Sequence, residues 1–250
     1  KSWAIYISFK ELGPAILSME NAWITCFVGR TSDVNKLVSG ISQVFGILLK
    51  MLFDPDGTHL EVTGIFLSFE DKRMRLHAKL DCFIQDGAAH RDVWGIKGDK
   101  GTRICMCCDI IDASSNLAAY MPNLKSNVIK ASELHYFTDR EILDAARRLE
   151  AYRLTDGPGQ FKERQQIMGI TYKPYSLLTD SHLQGIIKPA SQFMHDWQHG
   201  LFASGLFNIL MCLVLNSLEA HARNVYDILY QFVEQWSWPG AKKPSNLEEI

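Results

Sequence analysis

The sequence has little proline, few cysteines and no surplus of charge of either sign. Eight prolines and 17 glycines among 250 residues, with 47% hydrophobic side chains, exclude collagen-like, coiled-coil and disordered chains. Because 26 lysines and arginines stand against 28 acidic residues, the formal net charge of −2 supplies no overall field that would attract nucleic acid or a membrane surface. Any such partner must therefore be bound by a local patch.

The cysteines are too few and too clustered for a secreted disulfide scaffold. Three of the six lie together at Cys105, Cys107 and Cys108, and the others lie in apolar runs. We therefore expect an intracellular, reducing compartment. The sequence starts at Lys1 without an initiator methionine and stops at Ile250 without an obvious ending, so we expect a fragment of a longer protein.

Only residues 201–218 are apolar enough to raise the question of a membrane span. Polar and small residues interrupt this segment, and polar groups inside a spanning helix are expensive. We therefore expect a buried core helix there and no contact with a membrane.

Hydrophobic patterning predicts strands in the first part of the chain and helices in the second. The predicted strands are residues 3–9, 22–28, 60–69 and 74–84. The last two flank a charged turn and predict an antiparallel hairpin, whose second arm alternates apolar and polar residues. Residues 34–52 repeat apolar side chains at helical spacing. A capping box from Thr138 to Glu141 opens another predicted helix.

Asp86 directly follows the last predicted strand and precedes Gly87. A carboxylate held at the end of a buried strand is a typical ligand of Mg²⁺ or Mn²⁺. The alternative is that Asp86 only caps the next helix. A second carboxylate beside it would favour the metal site.

The Cys105-x-x-Cys108 motif is the first of two segments with metal-ligand spacing. Two thiolates at this spacing can bind one tetrahedral Zn²⁺ ion, and Cys107 can replace either. Redox motifs have the same spacing, so only the presence of further ligands would favour a zinc site over a redox motif.

Those ligands are offered by His195, Asp196 and His199. On a helix, His199 shares a face with either of the other two side chains. The alternative is that both histidines are core or capping residues. The His-Asp-x-x-His order also resembles the His-Glu-x-x-His motif of zinc proteases, in which the acid activates water. The shorter Asp196 would place that base badly, and no third ligand stands out downstream.

Lys97, Lys100 and Arg103 lie among glycines just before the cysteines. The segment lacks the Gly-Lys-Ser/Thr ending of a P-loop, so nucleotide hydrolysis is unsupported. The three basic side chains are candidates for contacts with a nucleic-acid backbone. A solvated loop is the alternative.

The order of these motifs resembles the ribonuclease H-like transposases of cut-and-paste DNA transposons, especially the Plavaka- and CACTA-like groups. The matching motifs are Asp86, Lys97-Gly98, Gly101, Cys105-x-x-Cys108 and Asp196-x-x-His199-Gly200-Leu201. The resemblance implies an α/β fold, with a ribonuclease H-like mixed sheet and helices over residues 1–96. A largely helical insertion with a zinc loop, residues 97–250, would interrupt that core.

The resemblance also implies chemistry. Asp86 would be the second of three catalytic acids, which hold two Mg²⁺ or Mn²⁺ ions during DNA cleavage and strand transfer. Cys105, Cys108, Asp196 and His199 match two accessory motifs, for which we expect binding of structural Zn²⁺. DNA would be the partner and the nucleus the location, and a homo-oligomer is allowed.

The sequence departs from the family pattern at two catalytic positions. Residues 3–9 contain no acid, and neither Glu219 nor Glu234 is a good third acid. We therefore expect the first catalytic strand before Lys1, the third acid beyond Ile250, and no nuclease activity from this chain alone. The alternative function is a domesticated, non-catalytic remnant that zinc stabilises and that binds DNA or protein.

Overall fold

The computed structural model describes residues 1–69, 72–110, 131–195 and 206–222, together with residues 224, 227, 228 and 231. The chain divides into two compact units, Lys1–Met194 and His195–Ile250. Within the first unit, the backbone of residues 96–102 is hydrogen-bonded to residues 166–170. The domain division after residue 96 stays a prediction.

The first unit is mixed α/β, with two antiparallel sheets of two strands each in its described part. β1 (Ser2–Ile7) pairs with β2 (Ile24–Arg30), and β3 (Ile65–Phe69) pairs with β4 (Lys72–Leu76). The mixed α/β class is therefore confirmed. The ribonuclease H-like sheet stays a prediction.

Helices make up most of the remaining regular structure. The α-helices of the first unit are α1 (Gly13–Leu17), α2 (Thr31–Val34), α3 (Ile41–Leu52), α4 (Gly87–Trp94), α5 (Asp139–Thr155), α6 (Pro158–Met168) and α7 (Pro189–Gln192). The second unit contains α8 (Leu206–Ala222). None of the described helices has the length and apolar character that crossing a bilayer requires.

The helix predicted over residues 34–52 corresponds in the structure to α3 and to Val34, the last residue of α2. α2 ends at Val34 and α3 begins at Ile41, so the prediction of one continuous helix is wrong. The break includes Gly40, whose φ of 55° lies in a region that favours glycine. The apolar periodicity survives because both helices contribute side chains to the same core.

α8 is not the buried core helix that its composition predicts. Leu213 is 61% exposed and Leu206 is 52% exposed, so the prediction is wrong for the described part of residues 201–218. A helix that is apolar on all sides has no polar face to turn toward water.

The strand predicted over residues 74–84 ends at Leu76 in the structure. Among the described residues, the segment after Leu76 has no continuous strand partner, and Phe83 makes only an isolated bridge with Phe193. The alternation of buried and exposed side chains also breaks here, because Phe83 is 6% exposed whereas Ile84 is 68% exposed. The ring of Phe83 lies 5.0 Å from that of Trp94, which is fully buried.

The contrast between the buried Phe83 and the exposed Ile84 gives a test of the packing. We expect Phe83→Ala to lower the free energy of unfolding by about 3–5 kcal/mol, because it leaves a cavity beside Trp94. Ile84→Ala, its matched neighbour, should change it by no more than about 0.5 kcal/mol. Urea denaturation of both variants measures the difference, and a larger loss for Ile84→Ala would contradict the observed packing.

Candidate functional site

Asp86 is the N-cap of α4. Its Oδ1 accepts the backbone N–H of Ala89 at 2.6 Å. Such a bond satisfies a donor that the first turn of a helix leaves free. The capping role predicted as the alternative is therefore present, and a catalytic role for Asp86 stays a prediction.

The three neighbouring cysteines form a thiol cluster around one sulfur atom. The backbone N–H of Cys107 donates to Sγ of Cys105 at 3.3 Å. The thiols of Cys107 and Cys108 and the backbone N–H of Cys108 also donate to this sulfur. All of these donors favour the thiolate form of Cys105 over the thiol.

The hydrogen bonds set the pKa values of the three thiols. They hold the pKa of Cys105 well below its usual range, because the Cys107 and Cys108 thiols and two backbone N–H groups stabilise its thiolate. The pKa values of Cys107 and Cys108 are raised, because each thiol donates its proton to Cys105 and both are partly buried. The hydrogen bonds therefore favour Cys105 as the thiolate of the cluster.

Residues 135–137 hold the cluster on one side. Asp109 N–H donates to the carbonyl of His135 at 3.1 Å, and Phe137 N–H donates to the carbonyl of Cys107 at 2.9 Å. The carboxylate of Asp109 in turn accepts the N–H of His135 at 3.0 Å. These bonds fix the backbone of the cysteine loop against the segment that leads into α5.

The C-terminal end of α6 holds the loop on the other side. Thr102 N–H donates to the carbonyl of Gln166 at 3.0 Å, and Lys97 N–H donates to the carbonyl of Gly169 at 2.9 Å. Gly169 has a φ of 65°, and a Cβ atom there would lie 2.5 Å from the carbonyl oxygen of Arg103. Both the conformation and the close approach require glycine.

Arg103 is buried beside the cysteines. The residue is only 8% exposed, and its guanidinium carbon lies 4.8 Å from the centre of the Phe137 ring. Its Nε and Nη2 atoms have no hydrogen-bond partner among the described residues. Burial lowers the pKa of Arg103, and the charges of Cys105, Cys108 and Cys107 oppose that shift.

The burial of Arg103 bears on the prediction that Lys97, Lys100 and Arg103 contact a nucleic-acid backbone. The structure does not support Arg103 as a phosphate ligand, because its guanidinium packs inside the loop. Lys100 is exposed, whereas Lys97 is half-buried. Burial and then the charge of Lys162 lower the pKa of Lys97.

The second half of the predicted zinc site falls outside the first unit. Asp196 and His199 lie outside the described residues, and His195 belongs to the second unit. Within the described ranges, no group of three or more His, Cys, Asp or Glu side chains is arranged to hold a metal ion. The pairing of these residues with the cysteines stays a prediction.

The β3–β4 hairpin carries a basic surface that the sequence analysis missed. Phe66 pairs with Arg75 and Ser68 pairs with Arg73, so the four side chains share one face. The guanidinium carbon of Arg75 lies 4.4 Å from the centre of the Phe66 ring, and Phe66 is 66% exposed. The signal was present in the alternating pattern, whose polar positions include two basic residues, Arg75 and Lys79.

The chain matches no protein-family model, no curated protein and no solved structure.

The contact between Gly169 and Arg103 gives the second test. We expect Gly169→Ala to lower the free energy of unfolding by about 1–3 kcal/mol, because a side chain at this φ is strained and strikes the loop backbone. Gly159 lies in the first turn of the same helix, and a Cβ atom there would have nothing within 4 Å, so Gly159→Ala is the matched control. The control should be neutral or stabilising by up to about 1 kcal/mol, and equal losses for both variants would contradict the contact.

Proposed function

We propose that the chain is part of a ribonuclease H-like transposase-type protein of the nucleus, and that its cysteine loop binds a structural Zn²⁺ ion. The observation that carries the zinc proposal is the backbone N–H of Cys107, which donates to Sγ of Cys105 at 3.3 Å. Donors around a metal-binding thiolate orient it and stabilise its charge. The same cysteines match the CxxC motif of the transposases that the sequence resembles.

The donor set fits zinc. Thiolates are soft ligands that suit Zn²⁺ in tetrahedral sites, and the spacing of Cys105 and Cys108 allows both to bind one ion. Cys107 is the alternate ligand. Asp196 and His199 would supply the other two ligands in this proposal, with His195 as the alternate.

The positive charge of Arg103 would balance the negative charge of the proposed zinc centre. Two thiolates and one carboxylate, with a neutral histidine, leave a Zn²⁺ centre with one negative charge in excess. The guanidinium of Arg103 lies next to the cysteines, buried and with two nitrogen atoms unpartnered in the described part of the chain. A buried charge needs a partner of opposite sign, and the thiolate centre provides it.

The described residues do not fit a two-metal catalytic site at Asp86. Its Oδ1 is engaged in capping α4. No cluster of three or more metal-binding side chains occurs in the described ranges. DNA cleavage and strand transfer are therefore proposed for the full-length protein only, and we expect this chain alone to be inactive as a nuclease.

Elemental mass spectrometry of the purified chain tests the zinc site. We expect close to one zinc per chain, which the Cys105→Ser/Cys108→Ser variant loses together with several degrees of melting temperature, because structural zinc contributes folding free energy. Cys26→Ser/Cys82→Ser is the matched control, since these cysteines lie outside the cluster and should leave the zinc content unchanged.

Two outcomes would contradict the proposal. A chain without zinc would leave the cysteines as a thiol cluster. Zinc that survives in the Cys105→Ser/Cys108→Ser variant would move the metal to His195 and His199 and favour a zinc metallohydrolase instead.

DNA binding is the part of the proposal that the β3–β4 hairpin supports. Arg73 and Arg75 are exposed on one face and lie beside Ser68 and the exposed ring of Phe66. Guanidinium groups bind phosphate in two-pronged geometry, and an aromatic ring offers a stacking surface for a base. An active transposase and a domesticated DNA-binding remnant would both use such a surface.

Fluorescence anisotropy with a labelled DNA duplex at several salt concentrations tests this surface. We expect Arg73→Gln/Arg75→Gln to weaken binding and to reduce the slope of log Kd against log salt by about 2, one for each lost phosphate contact. Lys36→Gln/Arg140→Gln removes the same charge from other exposed sites and is the matched control. Equal binding by both double variants would show that only net charge matters and would contradict the assignment.

A further inference from the structure

The first unit contains a large cleft that the cysteine loop and the basic hairpin do not use. Its volume is about 830 Å³, and it lies between the β1–β2 hairpin and the helices α3 and α4. Cavities of about 300–1,000 Å³ are typical of small-molecule sites. The cleft is therefore large enough for an organic ligand.

Aromatic rings dominate the cleft. Trp3, Tyr6, Trp23 and Phe45 all line it. The indole N–H of Trp23 donates to the carbonyl of Leu17 at 2.9 Å, which holds that ring in place. The face of an aromatic ring carries negative potential and attracts cations.

The charge of the residues that line the cleft also favours a positively charged ligand. Glu20 is the one charged residue among the described residues that line the cleft, and no lysine, arginine or histidine is among them. A cation in the cleft would therefore be attracted by the Glu20 carboxylate and would meet no basic side chain among the described lining residues. An anion would be repelled by that carboxylate, so the charge of the lining favours a cation.

Gln85 adds an acceptor to the wall of the cleft. Its side-chain oxygen is buried and has no hydrogen-bond partner in the described chain. An unsatisfied buried acceptor is costly, so a ligand whose O–H or N–H group reached the Gln85 oxygen would remove that cost.

We propose that this cleft binds a small organic cation, an ammonium group with alkyl substituents that also carries a hydrogen-bond donor. The aromatic rings and Glu20 provide the attraction for the charge, and the apolar walls accept the alkyl groups. The proposal does not depend on the zinc site or on DNA binding.

Calorimetric titration with choline and with 3,3-dimethyl-1-butanol tests the proposal. The two molecules have the same shape and the same hydroxyl group, but only choline is charged. We expect choline to bind at least about tenfold more tightly, the discrimination that a cation–π and carboxylate site provides. Equal binding of both would show an apolar cleft without charge selection and would overturn the proposal, as would no binding of either.

Variants assign the binding to the cleft. Glu20→Gln and Tyr6→Leu should each weaken choline binding by about fivefold or more, because one removes the charge and the other removes a ring while retaining apolar bulk. Both positions are exposed at the cleft, so folding should be retained and is checked by melting temperature. Glu163→Gln, on the exposed side of α6, is the matched control and should bind like the parent chain.

A peptide with trimethyllysine separates the two sources of such a cation. Tighter binding of the peptide than of choline, lost in Glu20→Gln, would overturn the assignment to a small molecule. Tighter binding of choline would support it.

Discussion

The approach of residues 96–103 to the end of α6 is the constraint on which the arrangement of the cysteine loop depends. Two backbone hydrogen bonds and the missing side chain of Gly169 allow the backbones to meet. This contact is one of several that join the early strands and helices to the later helices within the first unit. It also directs the chain so that Arg103 enters the interior and the cysteines follow directly after it. A longer side chain at the meeting point would displace all of these residues together.

Local signals predicted local structure well. The capping box at Thr138 is confirmed by both of its hydrogen bonds, and the predicted hairpin forms as the pair β3–β4. These features depend on side chains and turns close in sequence, which is why a pattern reveals them. The length of β4 was not predictable in the same way. An alternating pattern requires one buried side, but a ladder also requires a partner strand, and the segment after Leu76 has none in the described chain.

In the candidate site, too, features that depend on residues close in sequence were predictable, whereas those that depend on distant residues were not. The spacing of Cys105 and Cys108 was sufficient to predict that their sulfurs can meet, because three residues in a loop bring two side chains together. The burial of Arg103 depends on Gly169 and Phe137, which are distant in sequence. The local sequence therefore predicted that Arg103 would be exposed, like the neighbouring Lys97 and Lys100. The capping role of Asp86 was open in the sequence, since a strand end and a helix start occupy the same position in the chain.

The burial of Arg103 places a positive charge beside the cysteine loop. Without a metal ion, only the Cys105 thiolate opposes this charge, and two nitrogen atoms of Arg103 have no hydrogen bond among the described residues. A metal centre with an excess negative charge lowers the cost of that burial, whereas a centre with two thiolates and two neutral ligands does not. Under the zinc proposal, this argument favours a carboxylate over a second neutral imidazole among the ligands. The same argument makes the charge of Arg103, rather than its size, the property that the site needs.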